Sequence, residues 1–182
     1  MKIFNSFAKL TGASIVCSVV MTTHAFAQKS TKLTDPEVAS VAVVANQIDI
    51  SYAEIAKAKS KNDDILQFAQ TMANDHKAVI DQAVALVKKL GVTPKDNDLS
   101  KKLLAGAEKT KKTLNSKSGD AFNKAYIDNE VSYHKAVIST VENVLIPDAE
   151  NKELKDLLQN VVPTLKAHLE HAEMVQKKIT GK

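Results

Sequence analysis

Residues 152–180 read K-E-L-K-D-L-L-Q-N-V-V-P-T-L-K-A-H-L-E-H-A-E-M-V-Q-K-K-I-T. The inward positions are Leu154, Leu158, Val161, Leu165, His168, Ala172, Val175 and Ile179, so the intervals alternate between four and three residues. A stripe of that spacing lies along one side of a helix and forms the seam of a left-handed bundle. The segment predicts a helix from near Asn151 to about Thr180. Pro163 removes the hydrogen bond to the Gln159 carbonyl and is expected to kink or split the helix before His168.

The same periodicity recurs upstream. A first helix is expected from Asp35 as N-cap, with Pro36 and Glu37 in its first turn and Val38, Val41, Ala45, Ile48, Tyr52 and Ile55 facing inward, to about Ser60. A second starts after Asn62, carries Ile65, Ala69, Met72, His76, Ile80, Ala83, Val87 and Leu90 on one face, and closes at Gly91 and Pro94. A third runs from about Asp120 to Ile146, with Ile127, Val131, His134, Ile138, Val141 and Leu145 inward, and Pro147 is expected to stop it. Between the second and third, Gly91 to Ser118 carries 7 lysines against 3 acids and offers only Leu99, Leu103, Leu104 and Leu114 to bury. It reads as a partly helical connection, several times longer than usual within a bundle. The predicted fold is therefore all-α: a four-helix bundle with one long crossover between helices two and three, the ferritin-like arrangement.

Composition bounds the function. The 182 residues include 25 lysines, no arginine, and five aromatics beyond residue 27, so base-edge forks and stacking platforms are scarce and no nucleic-acid partner is expected. Residues 1–27 hold Lys2 and Lys9, an apolar stretch from Leu10 to Met21, and Ala25-Phe26-Ala27, the pattern of a cleaved export signal. Its removal lowers the formal charge from +4 to +2. The expected organisation is a signal peptide at 1–27, a linker at 28–34 and one domain at 35–180, exported to the periplasm or cell envelope. The lone Cys17 follows Val16, where a lipoprotein site wants a small residue. No later apolar run approaches the ~20 residues of a spanning helix.

The polar residues on the apolar stripes carry the functional reading. His76, His134 and His168 each stand on the buried face of a different predicted helix, and His171 follows His168 by one turn. Glu130 precedes His134 by four residues and so shares its side of the helix, and Asp49 falls on a small-residue face with Ala42, Ala45, Ala53 and Ala56. At ~1.5 Å per residue, Asp49, His76, His134, Glu130 and His168 fall at roughly 20, 21, 18, 24 and 26 Å above the foot of the bundle. They can meet.

Several segments together resemble a known family: Ala45-Asn46-Gln47, Phe68-Ala69-Gln70 with Met72 and Asp75-His76, Phe122 to His134, Leu145-Ile146-Pro147, and His168-Leu169-Glu170-His171-Ala172. Over about Asp35 to Ile179 the chain is similar to the exported bacterial domain-of-unknown-function family 4142. The resemblance implies a ferritin-like fold and an envelope location, and no established activity. The family is often labelled an outer membrane protein, but no alternating strands of a barrel are seen here.

No Glu-x-x-His of the di-iron bundles exists, since Ala73, Val131, Leu165 and His168 stand three residues before the four histidines. The nitrogen-rich set His76, His134, His168, His171, Glu130 and Asp49 suits zinc, copper or nickel better than a di-iron centre, with His168 and His171 as a chelating pair. The leading expectation is a non-enzymatic metal-binding bundle that buffers, senses or delivers a transition metal in the periplasm. The alternative is a structural or interaction protein of the envelope, its histidines satisfying one another and its lysines at 109, 111, 112 and 117 meeting an envelope component. A metal-dependent oxidoreductase ranks third, because the Glu-x-x-His of di-iron chemistry is missing; other sites are not expected, since no nucleophile, Gly-x-Ser-x-Gly elbow or phosphate loop is present.

Overall fold

The computed structural model describes residues 32–181; the predicted export signal, all but the last three residues of the linker and Lys182 lie outside them. Helix α1 spans Asp35–Lys59, α2 Asp63–Leu90, α3 Asp98–Asn115, α4 Gly119–Thr140, α5 the single turn Ile146–Asp148, and α6 Lys152–Thr180, with a π-helical turn, Val141–Leu145, between α4 and α5. Among the described residues there is no strand, and no helix is long and apolar enough to cross a membrane.

Local chemistry sets the ends. The N-cap of α1 is Thr34 rather than Asp35: Glu37, at the third helical position, accepts both the Thr34 N–H (3.0 Å) and its hydroxyl (2.7 Å). Asp35 is thereby released to accept the N–H groups of Glu150 (2.8 Å) and Asn151 (3.0 Å), which pins the start of α6 to the foot of α1. The side chains of Asn62 and Asn151 cap α2 and α6, which start where expected, by accepting free N–H groups of their first turns. Gly91 ends α2 in the left-handed region, at φ +63°, where a Cβ would be strained.

Contacts between these ends fix the path. After α2 descends, the Lys95 N–H donates to Pro36 O (2.9 Å) and Asn97 Nδ2 to Glu37 O (3.1 Å), so the chain has returned to the foot of α1. At the other end Lys59 donates to the Asn115 carbonyl (2.7 Å), and Ser60 to Asn123 Oδ1 (2.7 Å). Helix α3 therefore climbs beside α1 and delivers α4 to the top, from which α4 descends before α6 rises. The four long core helices α1, α2, α4 and α6 run up, down, down and up, with the crossover they need. The order is consistent with a ferritin-like bundle.

The crossover is partly helical, as expected. Its helical part, α3, buries a narrow strip made of Ser100, Ala107 and Leu114, seven residues apart, against the bundle. Leu104, expected inside, is 43% exposed. Of the lysines proposed to meet an envelope component, Lys109 and Lys112 are exposed, while Lys111 pairs with Glu108 at 2.6 Å. Pro163 lies on the exposed side of an unsplit α6, and Pro147 sits inside the last turn below α4 instead of ending the helix before it. The carbonyl with which Pro147 would collide belongs to Asn143, within the π-helical turn, where the backbone is already wider than an α-helix.

The core has two apolar halves. The upper packs Tyr52, Phe68, Phe122 and Tyr126 with Ile65 and Met72. The lower packs Val38, Val41, Ile138, Leu145, Leu158 and Leu165. Asp49, His76, Glu130, His134 and His168, all at most 5% exposed, belong to neither half. They form a polar layer where the two meet.

Candidate metal centre

Three imidazoles make up the middle of this layer. The ring centroids are 5.7 Å apart for His76 and His134, 5.1 Å for His76 and His168, and 5.6 Å for His134 and His168, close to an equilateral triangle. Each ring comes from a different helix, α2, α4 or α6.

The hydrogen bonds decide which nitrogen each ring presents. Asn46 donates its amide Nδ2 to the Ala42 carbonyl (2.8 Å), which turns its Oδ1 toward His76 Nδ1 at 2.7 Å. An amide oxygen only accepts, so His76 carries its proton on Nδ1 and leaves Nε2 as a lone pair. His134 Nδ1 lies 2.9 Å from the Glu130 carbonyl oxygen, and the same reasoning frees its Nε2. His168 donates through Nε2 to Asp75 Oδ2 at 2.9 Å and so frees Nδ1. Those three nitrogens, His76 Nε2, His134 Nε2 and His168 Nδ1, are buried and have no hydrogen-bond partner. Buried polar atoms rarely go without one. An outer partner that holds the far nitrogen of a ring is how a protein aims an imidazole at a metal.

Asp49 from α1 supplies a fourth group. Its Oδ2 lies 3.5 Å from His76 Nε2 and 3.6 Å from His134 Nε2, and both of its oxygens are buried without partners. Four ligands at about 2.0–2.1 Å around a tetrahedral zinc ion stand about 3.3 Å from one another. The two Asp49 edges are already near that length. One donor atom from each of the three histidines can be chosen so that all lie within 4.8 Å of one another, which leaves a closure of about an ångström and a half. Glu130 is more remote: its Oε2 approaches His134 Nδ1 at 3.7 Å, on the nitrogen already committed to the backbone. With Asp49 and His134 it forms a second group of potential ligands within the same 4.8 Å spread.

Burial sets the protonation of this layer. It pushes the Asp49 carboxyl up to about 8 and that of Glu130 well above the carboxylate range, the latter also because Asp49 is close. Burial, and then the neighbouring rings, pushes His76 down to about 3; His134 falls to about 4 for the same reasons, its bond to the Glu130 carbonyl opposing the fall. Near neutral pH Asp49, Glu130, His76 and His134 therefore carry no charge. A divalent cation is what would make an ionised Asp49 affordable there. Metal binding would replace the carboxyl proton, making affinity depend on pH.

Of the six residues selected from sequence, five meet. His171 does not join them. Three residues along a helix advance ~300°, so its ring stands ~60° round α6 from His168 and ~4.5 Å above it. It packs edge-on against Phe68 at 5.1 Å, half-buried, and the chelating pair with His168 does not form. Sequence reasoning also passed over Asn46, three residues before Asp49 and so on the same face of α1. Asp75 cannot reach the adjacent His76, and bonds across the bundle to His168 instead. Removing either outer partner, by Asn46→Ala or Asp75→Ala, is expected to weaken zinc binding by about 10–100-fold with the fold retained. Competition with a chromophoric chelator checks this.

A family model described as Domain of unknown function (DUF4142) matches residues 20–175. No curated protein and no solved structure gives a significant match.

Proposed function

The chain belongs to the DUF4142 family, a membership that carries no activity, and from the centre itself we propose that this protein binds one transition-metal ion through His76, His134, His168 and Asp49. Glu130 stands behind His134 as a neighbouring acid. The carrying observation is that three buried imidazoles, each held at one nitrogen by Asn46, Glu130 O or Asp75 and each with its other nitrogen unpartnered, bring a donor atom apiece within 4.8 Å of one another, with the free Nε2 atoms of His76 and His134 at 3.5 and 3.6 Å from Asp49 Oδ2. Three nitrogens and one oxygen are a donor set for zinc, copper or nickel rather than for an oxygen-rich di-iron pair. His171 has no part in it.

We place this activity in the periplasm or cell envelope, on the strength of the export-type sequence at residues 1–27. With no nucleophile or general base assigned to a substrate, the role that fits is buffering, sensing or delivery of metal. Tag-free protein incubated with zinc or copper and desalted should retain about one ion per chain by mass spectrometry. The His134→Ala/His168→Ala double variant should retain almost none. Equal, near-zero occupancy in both would end the proposal.

A further inference from the structure

Asp49, His76, His134 and His168 share a second feature: all four line one end of a cavity of about 120 Å³ that runs down through the lower half of the bundle. Beyond them its wall is mostly apolar, formed by residues such as Ala83 and Val87 of α2, Val137 of α4, and Leu158 and Val161 of α6. The wall on α6 reaches from His168 to Leu154, 14 residues or about 21 Å. The space is therefore long and narrow. Ala136 and Thr164, both exposed, also border it and mark where it approaches the surface between α4 and its neighbours. Glu130 lines no part of it.

An apolar cavity of this order is a poor host for water: one of about 150 Å³, lined by Leu, Ile and Phe, stays dry and takes up benzene. Here the apolar space ends on the side chains that would hold the metal. A molecule filling it would place its head where a further ligand of the ion belongs. Three neutral imidazoles and one carboxylate balance a single charge of a divalent ion, so an anionic head supplies the second. Resting on the metal-binding reading above, the geometry points to a specific guest: a monocarboxylate with a short unbranched apolar tail, its head on the metal bound by His76, His134, His168 and Asp49 and its tail in the cavity below.

The test uses the Co²⁺-loaded protein, whose visible absorption reports the ligands of the ion, titrated with acetate and with hexanoate. Each buried methylene is worth about fourfold in affinity, so hexanoate should bind at least about fiftyfold more tightly than acetate. Val161→Phe and Val87→Phe each place a ring in the cavity from a different helix. In either variant the carboxylate-free cobalt spectrum should persist and the advantage of hexanoate should fall below about fivefold. Cobalt bound normally, with acetate and hexanoate equivalent or neither altering the spectrum, would overturn this inference alone. No cobalt spectrum in the wild-type protein would overturn the metal-binding reading with it. If one ring-bearing variant fails to fold, the other and the wild-type chain-length series still decide.

Discussion

Zinc is expected to raise the unfolding midpoint by about 10 °C at pH 8, by clearly less at pH 6, and to release about one proton per ion bound at pH 7. An ion that binds only the folded chain stabilises it by about 4 kcal/mol when present at a thousand times its dissociation constant. For a domain of this size each kilocalorie moves the midpoint by about 2–4 °C. The pH dependence follows from Asp49. Its carboxyl, held up at about 8 by burial, keeps its proton at pH 7 and must lose it to become a ligand. Apparent affinity should thus fall about tenfold for each pH unit below 8. His76 and His134 add little above pH 5, since they are held down at about 3 and 4 and their inner nitrogens are already free. Calorimetric titration in two buffers of different ionisation enthalpy gives the proton count. A zinc response that is flat with pH would show that Asp49 is not a ligand.

Without metal the same carboxyl should be a liability. Relative to Asp49→Asn, the metal-free wild-type protein is expected to lose about 2 kcal/mol of stability between pH 6.5 and pH 8. The folded pKa of Asp49 is raised above its ordinary value of 3.8. The folded chain then holds a proton that the unfolded chain has given up. That contribution is complete below pH 3.8 and is lost as pH rises toward 8, at up to about 1.4 kcal/mol per pH unit. His76 and His134 are lowered, so their contribution has the opposite sign: complete above pH 6.5 and lost as pH falls toward 3–4. Between about pH 4 and 6.5 the slopes oppose; above 6.5 the slope comes from the two raised carboxyls, Asp49 and Glu130, of which the substitution removes only Asp49. Asparagine has the same shape and no charge to bury. Urea midpoints of both proteins at pH 6.5 and pH 8 measure the difference, and parallel behaviour would contradict the assigned burial. The same variant should bind zinc about 10–100-fold more weakly, so the group that destabilises the empty protein is the one that holds the ion.

How much of this was legible beforehand depended on how each helix is covered. Helices α2 and α6 each turn one face inward, and their stripes and their starts beside Asn62 and Asn151 read directly from the sequence. Helix α1 is covered by α2, α3 and α4, so Ala39, Ser40 and Val44 are buried along with the expected Val38 and Val41, and a single-stripe reading understates it. Helix α3 is the reverse. Two of its three buried residues are Ser100 and Ala107, too small to register as a hydrophobic stripe, yet their size lets the helix lie close against its neighbours. The exchange of capping roles between Thr34 and Asp35 could not be seen, because the partners of Asp35 are more than a hundred residues away.

For the site, helical rise alone was enough to bring Asp49, His76, Glu130, His134 and His168 to one level, because three imidazoles on three apolar stripes have nowhere else to point. Rise says nothing of rotation, and rotation is what removes His171 from the group and leaves it against Phe68. Nor does it identify the partner of the far nitrogen of each ring. Asn46 reaches His76 from another helix, Asp75 reaches His168 across the bundle, and the carbonyl that holds His134 is backbone, which leaves no trace in a sequence.

X-ray absorption at the zinc edge of the loaded protein tests the centre most directly. Four light-atom neighbours at about 2.0–2.1 Å, with the outer-shell scattering of three imidazoles that disappears stepwise in His76→Ala, His134→Ala and His168→Ala, is the result required here. A six-oxygen shell without imidazole scattering, unchanged in those variants, would place any bound zinc elsewhere on the protein.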